Sequence, residues 1–139
     1  MARILGVDLG SRRIGLAVSD PSGTIASAAG RIDRSGDDAR DRRAIVAAAV
    51  EAEATVVVLG LPKEMSGRRG PAARAAESEA RELRLLAPEL TVELHDERLT
   101  TVIAERTMVG AGVRRRDRRR HIDGVAAAVM LQSYLDAAR

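Results

Sequence analysis

The sequence predicts an α/β protein: a five-stranded mixed sheet, three antiparallel strands followed by parallel crossovers, with helices on both faces. Three observations lead there. Two short aliphatic segments near the start flank a tight turn; a later β-branched run is continuous rather than alternating; and Ala-rich stretches with helical spacing surround that run.

Residues 3 to 8, RILGVD, are followed by Gly10, and residues 13 to 19, RIGLAVS, stop at Asp20-Pro21-Ser22-Gly23. The turn around Gly10, Ser11 and Arg12 therefore joins two antiparallel strands, with Gly10 expected in a left-handed conformation and Gly6 and Gly15 expected where a neighbour approaches closely. A third strand is expected over 24–32. From Asp37 to Ala54 a helix places Ala44, Ile45, Ala48 and Ala52 at helical spacing, and Thr55 to Leu61, TVVVLGL, reads as a parallel strand covered on both faces. Pro71 suits the first turn of a second helix that Ala75, Leu83 and Leu86 carry to Pro88. Leu90 to Asp96 is a fifth strand. Thr100 or Thr101 can cap a third helix ending at Gly110-Ala111-Gly112, and Ile122 to Ala138 forms a fourth, with Val125, Val129 and Leu135 toward the core.

A chain of 139 residues fits one domain over 1–139, large enough to bury a substantial core. No apolar stretch approaches the ~20 residues of a membrane-spanning helix, and Asp8 and Gly10 break the N-terminal apolar run before it could serve as a signal core. A cytoplasmic protein with no membrane partner is expected. The absence of cysteine excludes disulfides, and with them a disulfide-linked dimer, as well as thiolate catalysis and Cys-based zinc sites. With one Tyr and no Phe or Trp, the chain cannot build the aromatic platform on which RRM and OB folds stack bases. Any nucleic-acid partner must be held through its phosphates, for which arginine is well suited.

Charge is uneven. Residues 112 to 121, GVRRRDRRRH, carry a net +5 out of a total of +3, so the rest of the chain carries −2. Such a patch is either a phosphate-binding surface or a solvated loop.

Asp8 ends a strand of Ile, Leu, Gly and Val, where an ionised carboxylate needs a cation or hydrogen-bond donors; turn amides near Ser11, Arg12 or Arg13, or a metal, can supply them. Asp96 and Glu97 close the fifth strand. Asp123 is expected in the first turn of the last helix, favoured there by the helix dipole and flanked by small residues, Gly124 and Ala126 to Ala128. Three carboxylates, two divalent cations and one phosphodiester sum close to neutrality. That is the charge balance of two-metal phosphoryl transfer, with ions about 4 Å apart, and an all-oxygen donor set favours Mg²⁺ or Mn²⁺.

The segments GVDLGSRRIGLAVSD (6 to 20), GLPKEMSGRRGP (60 to 71), DERLTT (96 to 101) and HIDGVAAAVMLQSYLD (121 to 136) resemble, in order and spacing, the YqgF/RuvX family of RNase H-like nucleases. The first motif alone is weak, since Asp-x-Gly on a hairpin also opens actin-like ATPase domains; DERLTT with the Asp-bearing last helix is specific. The resemblance implies an RNase H-like fold, divalent-metal dependence, and hydrolysis of phosphodiester bonds, with precursor 16S rRNA 5′-end maturation in ribosome biogenesis as the expected task and Holliday junction resolution as the alternative. A non-catalytic nucleic-acid-binding scaffold is the rival of another class.

Position by position, the resemblance implies Asp8, Glu97 and Asp123 as catalytic, metal-holding acids. It selects Glu97 over Asp96; alternation does not decide, because both faces of a central sheet can be covered. Nucleic acid is expected to be held by Arg12, Lys63, Arg68, Arg114, Arg115, Arg118, Arg119 and Arg120, the last five by connectivity to Asp123. Arg69 is a further candidate. Glu64 departs from the Asn common in the family and is either a fourth acid or exposed. His95 and His121 are expected to be structural or to support the site from behind. Oligomeric state stays open.

Overall fold

The computed structural model describes residues 3–63, 66–96 and 115–138, the side chains of 115–123 excepted. The chain forms β1 (Arg3–Leu9), β2 (Arg13–Ser19), β3 (Ala26–Asp33), α1 (Asp38–Glu51), β4 (Ala54–Leu61), α2 (Pro71–Leu86), β5 (Thr91–Asp96) and α3 (Arg115–Ala138). The sheet order is β3-β2-β1-β4-β5; β1 pairs antiparallel with β2 and parallel with β4, and β5 is parallel to β4. This is the predicted mixed sheet. The helix expected over 100–110 lies outside the described residues.

Side-chain alternation divides the core into two layers. Leu5, Val7, Ile14, Leu16, Val57, Leu59 and Val92 face α1 and α2, meeting Ile45, Ala49, Ala80 and Leu83. On the other face Ala17 and Val58 meet Ala127, Met130, Leu131 and Leu135 of α3. Val57, Val58 and Leu59 are all fully buried because β4 is covered on both sides, which explains its uninterrupted apolar run. Each such side chain contributes about 1.5–3 kcal/mol by leaving water.

Several boundaries and faces differ from expectation. The third strand starts at Ala26, because Asp20 organises residues 20–25 into a turn: its carboxylate accepts from Ser22 Oγ, Thr24 N and Ile25 N. Helix α1 stops at Glu51, and Glu53, with φ of 56°, turns the chain into β4. The buried stripe of α2 is Ala73, Ala76, Ala80 and Leu83; Ala75 is exposed, and Leu86 is 47% exposed. Among the described side chains of α3 the buried positions are Ala126, Ala127, Met130, Leu131 and Leu135, while Val125 and Val129 are half-buried and line an open groove of 530 Å³ with Ala26 and Ala128.

Two corrections bear on function. Helix α3 begins at Arg115 rather than Ile122. Arginine is a good helix former and no Gly or Pro interrupts residues 113–123, so the basic run from Arg115 continues the helix instead of preceding it, and Asp123 stands more than two turns inside. Its placement in a first turn, favoured by the dipole, does not hold. Gly10 is not left-handed either; a Cβ there would lie 2.4 Å from the Arg13 carbonyl oxygen, so its lack of a side chain serves a close backbone approach.

Candidate active site

Asp8 occupies the penultimate position of β1, half-buried, directly opposite Gly15 of β2. It shares the parity of Ile4 and Gly6, the positions that meet α3, whereas Leu5, Val7 and Leu9 face α1 and α2. The aliphatic strand thus delivers a carboxylate to the α3 face at the C-terminal end of the parallel strands, where open α/β sheets place ligands.

The course of α3 is fixed by its contacts with β3. Gln132 bonds Thr24 and Ala26, and Gly124 lies against Ala28 and Gly30, so going toward its N-terminus α3 advances along β3 in the chain direction of that strand. Eight helical residues advance about 12 Å and four strand residues about 13 Å, so the two measures agree. Two successive antiparallel pairings make β3 run the same way as β1. The N-terminal half of α3, with Asp123 immediately before Gly124, therefore heads for the end of the sheet where Asp8 stands. Of the three expected acids, Asp8 has a described side chain, Asp123 a described backbone, and Glu97 lies outside the described residues, as do Glu64 and Arg114.

Asp96 pairs with Leu61 in the β4–β5 register and shares the parity of Val92 and Leu94, which pack into the α1–α2 layer. His95 and Glu93 have the opposite parity and touch α3: His95 Nε2 is 3.0 Å from Ser133 Oγ, and the Tyr134 hydroxyl donates to Glu93 Oε2. Alternation in the folded strand thus sets Asp96 on the face opposite Asp8. Burial holds the His95 pKa below its usual value against the opposing pull of Asp96. Burial, then the bond to Glu93, pushes the Tyr134 hydroxyl up to about 12, so it stays a donor.

The basic candidates collect at the same end of the sheet by topology. Arg12 is exposed in the β1–β2 turn, Lys63 follows β4, and Arg68 precedes α2. Arg69 is committed elsewhere: its guanidinium donates to Glu77 at 2.7 Å. Arg115, Arg118, Arg119 and Arg120 lie on the first turns of α3, with side chains outside the description.

Arg34 escaped the sequence reading. Its Nε donates to the Gly10 carbonyl at 2.7 Å, its backbone N donates to the Arg12 carbonyl at 2.9 Å, and its NH1 lies 4.0 Å from both Asp38 and Asp41. It braces the turn that carries Arg12. Asp41, 4% exposed, accepts from Ser35 N and Oγ, and the Ser35 hydroxyl bond holds its pKa below the ordinary value despite burial. The cleft of 480 Å³ beside Arg12 is walled by two arginines and two aspartates and is balanced in charge. No local motif announces the role of Arg34, because the turn it braces lies more than twenty residues earlier.

Similar architecture is found in solved structures. Thermus thermophilus RuvC in complex with a Holliday junction substrate superposes with a TM-score of 0.58 at 16% identity, covering 99% of this chain and 96% of that one. The fowlpox virus Holliday junction resolvase gives 0.59 at 11% identity, covering 99% of each chain. The fold of this chain is thus the RNase H-like, α/β fold that these structures have. Residues 2–137 match the RuvX family, described as Holliday junction resolvase, and the chain belongs to that family. A protein of Mycobacterium sp. (strain KMS) named "Putative pre-16S rRNA nuclease" is 44% identical over 138 residues, 99% of this chain and 81% of the relative. One of the same name from Halalkalibacterium halodurans is 42% identical over 135 residues, 96% of each. Nuclease chemistry, hydrolysis of phosphodiester bonds, is what these relationships support.

Proposed function

We propose that this chain trims the 5′ end of precursor 16S rRNA with Asp8, Glu97 and Asp123 as its acids and Mg²⁺ or Mn²⁺ as its cofactor. The observation that carries the reading is the placement of Asp8: a half-buried carboxylate at the end of β1, on the face crossed by the helix that bears Asp123. The rRNA substrate is supported by the names of relatives similar over nearly the whole chain.

The donor set fits a hard divalent cation, since all three groups offer carboxylate oxygens and the chain has no cysteine. Asp8, Glu97 and Asp123 would hold such ions, which would supply a lowered pKa for an attacking water and charge stabilisation for a leaving 3′ oxygen. The chain itself supplies the rest. Asp8 sits on a strand paired on both sides, which fixes its backbone, while Arg12, Lys63, Arg68 and Arg114, Arg115, Arg118, Arg119 and Arg120 hold the phosphate backbone without reading sequence.

A DNA junction is the second reading, favoured by the description of the family. Cleavage of a labelled single-stranded rRNA leader and a four-way DNA junction, with Mg²⁺ or Mn²⁺, by wild type and Asp8→Asn, separates the possibilities. RNA cut by wild type alone supports the proposal; symmetric junction cutting supports resolution and a dimer. Tight binding by both proteins without cleavage overturns both and leaves a scaffold.

A further inference from the structure

Three consecutive residues of α3 reach both edges of the sheet. Gln132 Oε1 accepts from Ala26 N at 2.9 Å and Nε2 donates to the Thr24 carbonyl at 2.9 Å, so the carboxamide occupies the outer side of the chain entering β3 as a neighbouring strand would. The same Nε2 donates to Asp136 Oδ1 at 3.1 Å. Ser133 and Tyr134 bond His95 and Glu93 on β5, and the Tyr134 ring stands edge-on to His95 with centroids 5.8 Å apart at 87°. Strands β3 and β5 are the two edges of the five-stranded order.

The stretch of α3 next to Asp123 has no comparable fixings among the described residues. It meets the sheet through Gly124, Ala126 and Ala127, and small side chains interdigitate less than Met130 and Leu131 further along. Gly124 to Val129 carry no polar side chain, so among the described residues the hydrogen-bonded ties of α3 to the sheet lie in its C-terminal half. Apolar contacts tolerate small slides that hydrogen bonds of fixed length and direction do not.

We infer that Gln132, Ser133 and Tyr134 are positioning residues: by tying α3 to β3 and β5 at once, they hold the helix that carries Asp123 in register with Asp8. The inference rests on the metal-nuclease reading. A rigid helix transmits the tie, because Asp123 and Gln132 lie on the same uninterrupted α3. As positioning residues they act through the acids, whose mutual placement a shared cation senses within fractions of an ångström.

The test compares full-length wild type, Tyr134→Phe, Gln132→Glu and Glu93→Gln at a temperature well below each Tm, reading free Mn²⁺ by electron paramagnetic resonance and kcat and KM on the substrate the wild type cuts. Tyr134→Phe keeps the ring and loses the hydroxyl; Gln132→Glu keeps the acceptor for Ala26 and loses the donor to Thr24. Each is expected to weaken Mn²⁺ binding and lower kcat by roughly fivefold, the effect of about one net hydrogen bond, with KM unchanged. Glu93→Gln retains an acceptor opposite Tyr134 and is expected to bind Mn²⁺ like wild type. A lowered Tm with Mn²⁺ binding and kcat per folded molecule unchanged would overturn the inference. If either variant fails to fold, Ser133→Ala, at an exposed position, is read by the same criteria. Wild type that binds no Mn²⁺ and cuts nothing would instead overturn the reading beneath it.

Discussion

Gly6 of β1 lies directly under Leu131 of α3: a Cβ on Gly6 would stand 2.9 Å from the Leu131 Cβ. Because that atom is fixed to the helix backbone, no rotamer change relieves the contact, and Gly6→Ala must lift α3 from the sheet. A loss of about 1–3 kcal/mol is expected, the usual cost of overpacking. Urea denaturation checks this; an unchanged midpoint with unchanged slope would show that the helix is not seated as described.

The basic turns of α3 should control affinity. Replacing Arg118, Arg119 and Arg120 with Ala is expected to weaken nucleic-acid binding and to flatten its salt dependence, each lost phosphate contact removing about 0.7–0.9 from the log–log slope. Binding titrations across salt concentrations measure it. An unaltered slope would mean that these guanidiniums face solvent in the complex.

Arg42 of α1 and Glu79 of α2 form a two-pronged pair, Nε to Oε2 at 2.6 Å and NH2 to Oε1 at 3.1 Å, with both side chains less than one-fifth exposed. The bond to Glu79, opposed by burial, raises the Arg42 pKa. Glu79→Ala should cost about 2 kcal/mol, between the values for exposed and buried pairs. A double-mutant cycle with Arg42→Ala should return a coupling near or above 1 kcal/mol, and additivity would contradict the pairing.

Acid should loosen the turn before β3. The backbone N–H of Ile25, the Ser22 hydroxyl and the backbone N–H of Thr24 hold the Asp20 pKa down at about 2. A carboxylate lowered in the folded state binds fewer protons there than in the unfolded chain. Its contribution is therefore complete above the unfolded pKa, near 4, and disappears as pH falls through about 2. Asp20→Asn should lose stability at neutral pH and show a shallower decline than wild type between pH 4 and 2, read from Tm against pH.

Much of this architecture was legible in the chain. The strand from 13 to 19 and the continuous run into Leu61 follow from local composition, because β-branched residues bounded by turn residues have few alternatives. Asp8 stood out because a carboxylate closing an aliphatic strand demands a partner. The face of each helix was harder to read: in α2 and α3 alanine is so frequent that several stripes have helical spacing, and only packing chose Ala73-Ala76-Ala80-Leu83 over the stripe through Ala75 and Leu86.

The sequence by itself determined the order of the described elements, the mixed sheet and the family, and it nominated the acids, since these depend on residue type and spacing along the chain. Tertiary structure decided what depends on contacts distant in sequence. It placed Asp96 on the α1–α2 face by fixing the register of β5 against β4, drew the basic run into α3, and brought Arg34 to Gly10 and Gln132 to Thr24, more than a hundred residues apart. Such partners share no local pattern; they meet because burying both faces of one sheet leaves each helix a single course across it.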